Sequence, residues 1–557
     1  MRCKPWTLAL AILLTCGWLP VRAATACIDA DIGIDAAHRT VSLDLTLPQG
    51  TDAIALKPMD GYRRSQLWQS ADGSTVITDD GLRLADPHQR RMRVQMDVRT
   101  NLERPDRTYP PFLRFADGTI AVESDAFAAA EGTTPLCLRF VPAPGERVIG
   151  YATASTRPLH APAAPAPAAY VAFGTPRVER VHSLLLVSGR GTPDWIRDRL
   201  RHTIPGVAEF YRQRMWPMAL PTIFFYSLPD AHGSGYHGDR LPGSLTLGLI
   251  GAAWKTPDAS AAHQITEFVA HELFHVWNAA AGMQPVDAES NLASEGGAEL
   301  AKMLASAHVE GDPDQAWLAE ASTSLDDCLL SLPAQGSLAA GHLDHGQLPY
   351  TCGVPLMLVL AALNHPQDPA TGFFRMWKAL VERKSAAIDR DYRWTELAPP
   401  AANAGIMATL DRAVHGDAAY ASAIAMALGH SGFVLQAPSS LSAKLRQRMN
   451  MQLMASLMAH DCGGRVSFWN EPSGFLLDKP LPSCRTLGAG KLVIALLGQS
   501  FADDQPQQLA AAIRARCRAG EQITAAYADG SPAAELGCPA IPPQLPKLLQ
   551  IVGYGAH

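Results

Sequence analysis

The chain has 557 residues, 47% of them hydrophobic and 18% charged, with a formal net charge of −6 at pH 7. That length exceeds what one hydrophobic core holds and predicts two to four domains of ordinary globular composition. A small negative charge with no basic run excludes nucleic acid as the main partner.

Residues 1–23 place Arg2 and Lys4 ahead of a short apolar run, Leu8 to Leu14, followed by the small-residue site Val21-Arg22-Ala23. This is the pattern of a secretory signal. The run is too short to cross a membrane, and no later stretch is long and apolar enough, so no transmembrane segment is expected. The mature protein is expected to be secreted, and periplasmic if its source is a Gram-negative bacterium. Loss of the signal removes Cys3 and Cys16 and leaves an even set of cysteines suited to disulfides. Pairing of sequence neighbours is the simplest arrangement: Cys27 with Cys137, Cys328 with Cys352, Cys462 with Cys484 and Cys517 with Cys538.

From Ala24 onward the pattern alternates with a period of two, clearest at 40–47 and 91–98, between turns at Asp60-Gly61, Asp72-Gly73, Asp80-Gly81 and Asp117-Gly118. A β-sandwich over 24–157 is expected. Residues 158–169 (PLHAPAAPAPAA) read as a linker or surface loop. A second domain is expected over 170–435. It should contain a helix from Pro193 to about Met215, a buried strand at 222–226, and an edge strand bordering a cleft at 244–249. A further helix starts at Pro257, with Asp258 as its N-cap. That helix carries Ile265, Phe268, Val269, Leu273, Phe274, Val276 and Trp277 around most of its circumference, so it is expected to be buried.

The same helix holds His271, Glu272 and His275, written HELFH. Residues four apart share one helix face, so the two imidazoles can grip one metal ion, and Glu272 can face an attacking water. A zinc site that does chemistry keeps three protein ligands and an open position. The third ligand is expected at Glu295, in Ser294-Glu295-Gly296-Gly297-Ala298-Glu299, reached after a turn-prone loop. Glu299, one helical turn further, is placed to hold a ligating histidine by its other nitrogen. Trp277 reads as a core residue, and Glu267 as a structural carboxylate rather than a fourth ligand.

HELFH followed by a glutamate on the next helix resembles the gluzincin metallopeptidases, the thermolysin-like superfamily. His275-Val276-Trp277-Asn278 and Ser294-Glu295-Gly296 resemble more specifically the glycyl aminopeptidase family (HExFHxWN … SEG), with Leu292 where that family has tryptophan. A looser resemblance extends to the alanyl aminopeptidase and leukotriene-hydrolase types. It implies a multidomain α+β protein: an N-terminal β-sandwich, a thermolysin-like zinc peptidase domain with a helical lobe, and one Zn²⁺ per chain. Leu348-Pro349-Tyr350-Thr351-Cys352-Gly353 resembles the P-Y-x-K-G phrase of the leukotriene-hydrolase type, with Cys352 where that type has lysine. The resemblance gives Tyr350 the role of steadying the tetrahedral intermediate.

In the resembled aminopeptidases a glutamate just before the edge strand binds the substrate's free amine. Here that place reads Gly233-Ser234-Gly235-Tyr236-His237-Gly238-Asp239-Arg240 and holds no glutamate. His237 and Asp239 are the substrate-binding candidates, the alternative being a glycine-rich surface loop. His342 and His345 are three apart, and His345 is a further oxyanion donor candidate. Residues 354–435 are expected to be mostly helical. Residues 436–557 are expected to form a small disulfide-containing α+β domain, at the place where glycyl aminopeptidases often carry a PDZ domain.

Three readings follow. The first is an aminopeptidase acting on peptide or protein substrates, with His271, His275 and Glu295 on zinc, Glu272 as general base and Tyr350 on the oxyanion. The second is a zinc endopeptidase on the same scaffold. The third is a catalytically silent peptidase-fold binding protein.

Overall fold

A computed structural model describes residues 27–555 except 36–39, 60–61, 99–109, 163–166, 183, 229–233, 313–315, 333–337, 339–342, 344–345, 388–389, 401, 417–418, 465, 472, 479–483 and 504. The signal-like segment 1–23, His342 and His345 lie outside the described residues. The chain divides into two compact units. One runs up to Arg114 and resumes at Thr119–Thr175; the other takes Phe115–Gly118 and the chain from Pro176 onward.

In the first unit the period-two segments become the strands Thr40–Thr46 and Arg91–Asp97, which bury every second residue. They sit in a six-stranded sheet with Ile28–Asp35, Leu136–Val141, Leu159–His160 and Trp68–Ser70. A five-stranded sheet is built from Phe112–Arg114, Ile120–Glu123, Tyr170–Gly174, Arg147–Gly150 and Thr153–Ser155. Ile32, Val94 and Phe140 of one sheet share a core with Val122, Val148 and Phe173 of the other, which is a sandwich. Cys27 and Cys137 are bonded across the adjacent strands.

Two expectations shift here. The stretch read as a linker contributes Leu159–His160 to the first sheet. Tyr170–Gly174, expected to open the second domain, pairs instead with Ile120–Glu123 and Arg147–Gly150 of the first unit. Alanine and proline composition does not reveal that a segment is carried from one sheet to the other, because the pairing partners are distant in sequence.

The second unit opens with a five-stranded sheet in the order Arg177–Val181, Leu184–Ser188, Thr222–Leu228, Ser244–Gly251, Ser234–Leu241. The edge strand is therefore Ser234–Leu241, not the Ser244 segment. The chain runs out to the edge first and returns to fill the space beside Thr222–Leu228, with which Ser244–Gly251 pairs in parallel. Composition fits this order. Ser244–Gly251 is buried along nearly its whole length, as an interior strand must be. Polar SGYHGDRL suits an edge, and its glycines mask the alternation that would mark it as a strand.

The motif helix, Ala259–Asn278, starts at Asp258, whose side chain accepts the Ala261 N–H. It packs beneath the sheet through Ile265, Val269 and Leu273, in one core with Leu245, Leu247 and Leu249. The glutamate helix, Asn291–Glu310, and the tyrosine helix, Leu348–Asn364, lie against each other unusually closely. A Cβ on Gly296 would fall 2.3 Å from the Gly353 backbone, and one on Gly353 would fall 2.2 Å from the Leu292 carbonyl oxygen. Only a glycine pair allows backbone-to-backbone packing there.

Helices Pro369–Ser385, Ala404–Val414 and Tyr420–His430 complete the lobe. The Cys328–Cys352 bond ties the tyrosine helix to the helix Ala316–Ser331. No single described helix is long and apolar enough to cross a membrane.

Beyond it, the helices Ala443–Asp461 and Pro506–Arg518 and a sheet of short strands enclose a separate core that includes Leu453, Phe475, Val493 and Ile513. Cys462–Cys484 and Cys517–Cys538 are bonded there. The last strand, Gln550–Tyr554, leaves this core and pairs antiparallel with Phe433–Gln436. The expected boundary between 435 and 436 is thus crossed by a sheet pairing, which no local pattern could announce.

Candidate active site

The motif helix and the glutamate helix bring His271, His275 and Glu295 together. Their ligand atoms lie within 4.8 Å of one another. The two Nε2 atoms are 3.2 Å apart, and Glu295 Oε2 is 3.4 Å from that of His271 and 3.5 Å from that of His275. Each ring is held from behind. His271 Nδ1 lies 2.9 Å from Glu299 Oε1, and His275 Nδ1 lies 3.3 Å from Asn278 Oδ1. Asn278 also donates to the Ser294 carbonyl, fastening the two helices beside the cluster.

The donor set fits a zinc ion: two imidazoles with their Nε2 atoms converging, one carboxylate, and a partner behind each ring. At 3.2 Å the two Nε2 atoms suit an N–H···N hydrogen bond in the empty cluster and, with both lone pairs turned inward, a shared cation. The electrostatics agree. Burial resists charging of His271, but Glu295 and Glu299 outweigh it and push its pKa up to about 10. Burial would raise Glu295, yet His275 and His271 reverse this and hold it well below the usual carboxylate range. Glu299 is likewise pulled down to about 2, against burial, by Lys302 and His271.

Glu272 is buried beside the cluster. A Cβ on Gly238 of the edge strand would lie 2.3 Å from its Cδ, so its side chain lies flat on the strand backbone at a residue without a side chain. Burial raises its carboxyl above the ordinary range, with Glu295 adding to this against the opposing pull of both histidines. Tyr350 stacks on the His271 ring, with centroids 5.8 Å apart, and its hydroxyl is hydrogen-bonded with Glu295. Burial, then Glu295, Glu272 and Glu299, hold its pKa far above the usual value, so it stays a donor.

The edge strand separates the substrate candidates from this cluster. Tyr236, Gly238 and Arg240 share the face toward the motif helix: the Tyr236 ring lies 4.9 Å from that of Phe268, Gly238 meets Glu272, and Arg240 reaches the Ala279 carbonyl. His237 and Asp239 alternate with them and leave from the opposite face. There His237 Nε2 is 2.9 Å from Asp239 Oδ2, and Asp239 is buried. The one-residue offset from Gly238 sends Asp239 to the face of the strand opposite Glu272.

Sequence reasoning assigned no role to three contributors. Lys302, half-buried on the glutamate helix, lies 2.8 Å from Glu299 Oε2 and 3.8 Å from Glu267 Oε1. Tyr392 is buried with its hydroxyl bonded to Ser294, next to Glu295. Gly238 is the third. Its fit under Glu272 had a possible marker in the glycines of the edge stretch. Trp277 is a core residue, its indole donating to the Trp216 carbonyl.

Other described groupings of metal-ligand atoms are weaker. Two involve cysteines already joined in disulfides. The third, His263, Glu267 and Glu320, is part-exposed.

No protein-family model matches the chain, and no curated protein matches it. Solved structures do. One is an aminopeptidase N family protein from Idiomarina loihiensis, 15% identical, superposed over 94% of this chain and 98% of that one with a TM-score of 0.58. At that identity the likeness is one of fold. Over nearly its whole length, the chain shares the multidomain α+β fold of an aminopeptidase N family protein.

Proposed function

We propose that the chain is a secreted zinc metallopeptidase that hydrolyses peptide bonds. The observation that carries this is the convergence of His271, His275 and Glu295 with the buried carboxylate of Glu272 alongside. His271, His275 and Glu295 would hold the ion. When bound, zinc supplies a Lewis acid for the scissile carbonyl and lowers the pKa of the attacking water.

The chain's own groups do the rest. Glu272, its carboxyl raised by burial, takes the proton of the attacking water and passes it to the leaving amine. Tyr350 keeps its proton and donates to the oxyanion. Glu299 fixes the His271 ring, and Asn278 that of His275. The Gly238 backbone keeps Glu272 flat against the edge strand.

Trimming of free amino termini is the first reading, on the resemblance of the HELFHVWN and SEG phrases and on the fold shared with an aminopeptidase N family protein. A second reading, internal cleavage, is favoured by the burial of Asp239 on the far face of the edge strand. The test is a zinc assay combined with hydrolysis of peptides carrying free or acetylated amino termini. About one zinc per chain with cleavage only beside free amines supports the aminopeptidase. Cleavage inside acetylated peptides supports the endopeptidase. Glu272→Gln should keep the zinc and lose about 10²–10⁴ in turnover. Zinc-free protein, or a Glu272→Gln variant of full activity, overturns the proposal.

A further inference from the structure

The carboxylate behind the His271 ring is itself held from behind. Glu295 and Glu299 are four apart on the glutamate helix, and like charges at that spacing repel. Glu272, buried on the motif helix, adds a third carboxylate. An ion held by His271, His275 and Glu295 would offset the inner side of this group, to which Glu299 offers no ligand atom. Glu299 meets Lys302 instead. The Lys302 Nζ lies 2.8 Å from Glu299 Oε2, while Oε1 of the same carboxylate lies 2.9 Å from His271 Nδ1. One oxygen serves the ring and the other the lysine.

The lysine is placed from both helices. Lys302 is three residues after Glu299 on the glutamate helix, and its Nζ lies 3.8 Å from Oε1 of Glu267, four residues before His271 on the motif helix. Residues three or four apart share a helix face, so Lys302 bridges the two helices about one turn from the proposed ligands. The Lys302 side chain is 14% exposed and that of Glu299 16%, so solvent screens the pair little. A carboxylate behind a ligating histidine works by direction, since it fixes the tautomer and the aim of the ring. Without a cation on its outer oxygen, Glu299 would be pushed by Glu295 and free to turn from the ring.

We propose that Lys302 is a positioning residue of the zinc site, an inference that rests on the zinc reading above. By holding Oε2 of Glu299, its charge keeps Oε1 on His271 Nδ1 and the His271 Nε2 aimed at the ion. The test is zinc affinity, measured by competition with a chelator on the full chain, with the melting temperature alongside. Lys302→Met keeps the apolar stem and removes the charge. It should weaken zinc affinity about tenfold, the lower end of the cost of losing a partner behind a ligand. Lys302→Arg keeps the charge and should recover most of that loss. Adding Lys302→Met to Glu299→Gln should cost nothing further, because the effect passes through the Glu299 carboxylate. That comparison stands even if Lys302→Met alone folds poorly, since the double variant leaves no uncompensated charge at Glu299. Affinity unchanged in Lys302→Met, an equal loss in Lys302→Arg, or full addition of the two losses overturns the proposal and leaves the zinc reading intact. A parent chain that binds no zinc overturns both.

Discussion

The motif helix carries two histidine clusters two turns apart. His263 Nδ1 lies 2.7 Å from Glu310, as His271 Nδ1 lies 2.9 Å from Glu299. Beyond the ring, His263 Nε2 faces Glu267 at 3.8 Å and Glu320 at 3.9 Å, where His271 Nε2 faces His275 at 3.2 Å and Glu295 at 3.4 Å. The plans are alike and the surroundings are not. The His263 side chain is 38% exposed and that of His271 9%. Water and the guanidinium of Arg199, paired with Glu310, can balance the first cluster. The second is buried, and the only basic side chain paired with it among the described residues, Lys302, is engaged with Glu299 behind the ring. Burial and a second imidazole are what separate the proposed metal site from a solvated salt-bridge network.

The largest test of this difference is metal content. His271→Ala should lose the zinc and with it all turnover, while His263→Ala should keep both; elemental analysis and a peptide assay decide. Zinc loss in His263→Ala would erase the distinction. Next is Tyr350→Phe, which leaves every proposed ligand in place and should cost about 10²–10³ in kcat with zinc retained. An unchanged kcat would remove Tyr350 from the oxyanion role.

The carboxylates behind the rings come third. Glu299→Gln should weaken zinc affinity about 10–100-fold, and Glu310→Gln should leave it alone. Competition with a chelator measures both.

The smallest effect concerns the exposed cluster and pH. Burial, with help from Glu267, pushes the Glu320 carboxyl up to about 7, above the ~4.3 of an unfolded chain. The folded state then binds the extra proton, so this group's contribution to stability declines as pH rises from about 4.3 to about 7. Glu320→Gln should flatten the melting temperature over that window. A profile identical to that of the parent would place the Glu320 proton elsewhere.

Much of the site was legible because its chemistry is local. His271 and His275 are four apart on one helix, and Glu295 and Glu299 repeat that spacing on the next. Asp258 as N-cap and the all-round apolarity of the motif helix were equally local, as was the buried strand Thr222–Leu228. The neighbour pairing of cysteines holds for all four bonds. What failed was spatial order. The edge strand was assigned to the wrong segment and Tyr170–Gly174 to the wrong unit.

The sequence by itself determined the candidate ligand set, the candidate base, the helices that carry them and the β character of the N-terminal unit. These depend on periods of two and 3.6 residues, which any stretch of chain displays without its partners. Only the tertiary structure decided which strand borders the motif helix, that Gly238 makes room for Glu272, that Gly296 and Gly353 let two helices touch, and that Lys302 stands behind Glu299. Each of those is a contact between residues far apart in the chain, and its cause is the exclusion of one group's volume or charge by another, which no local pattern encodes.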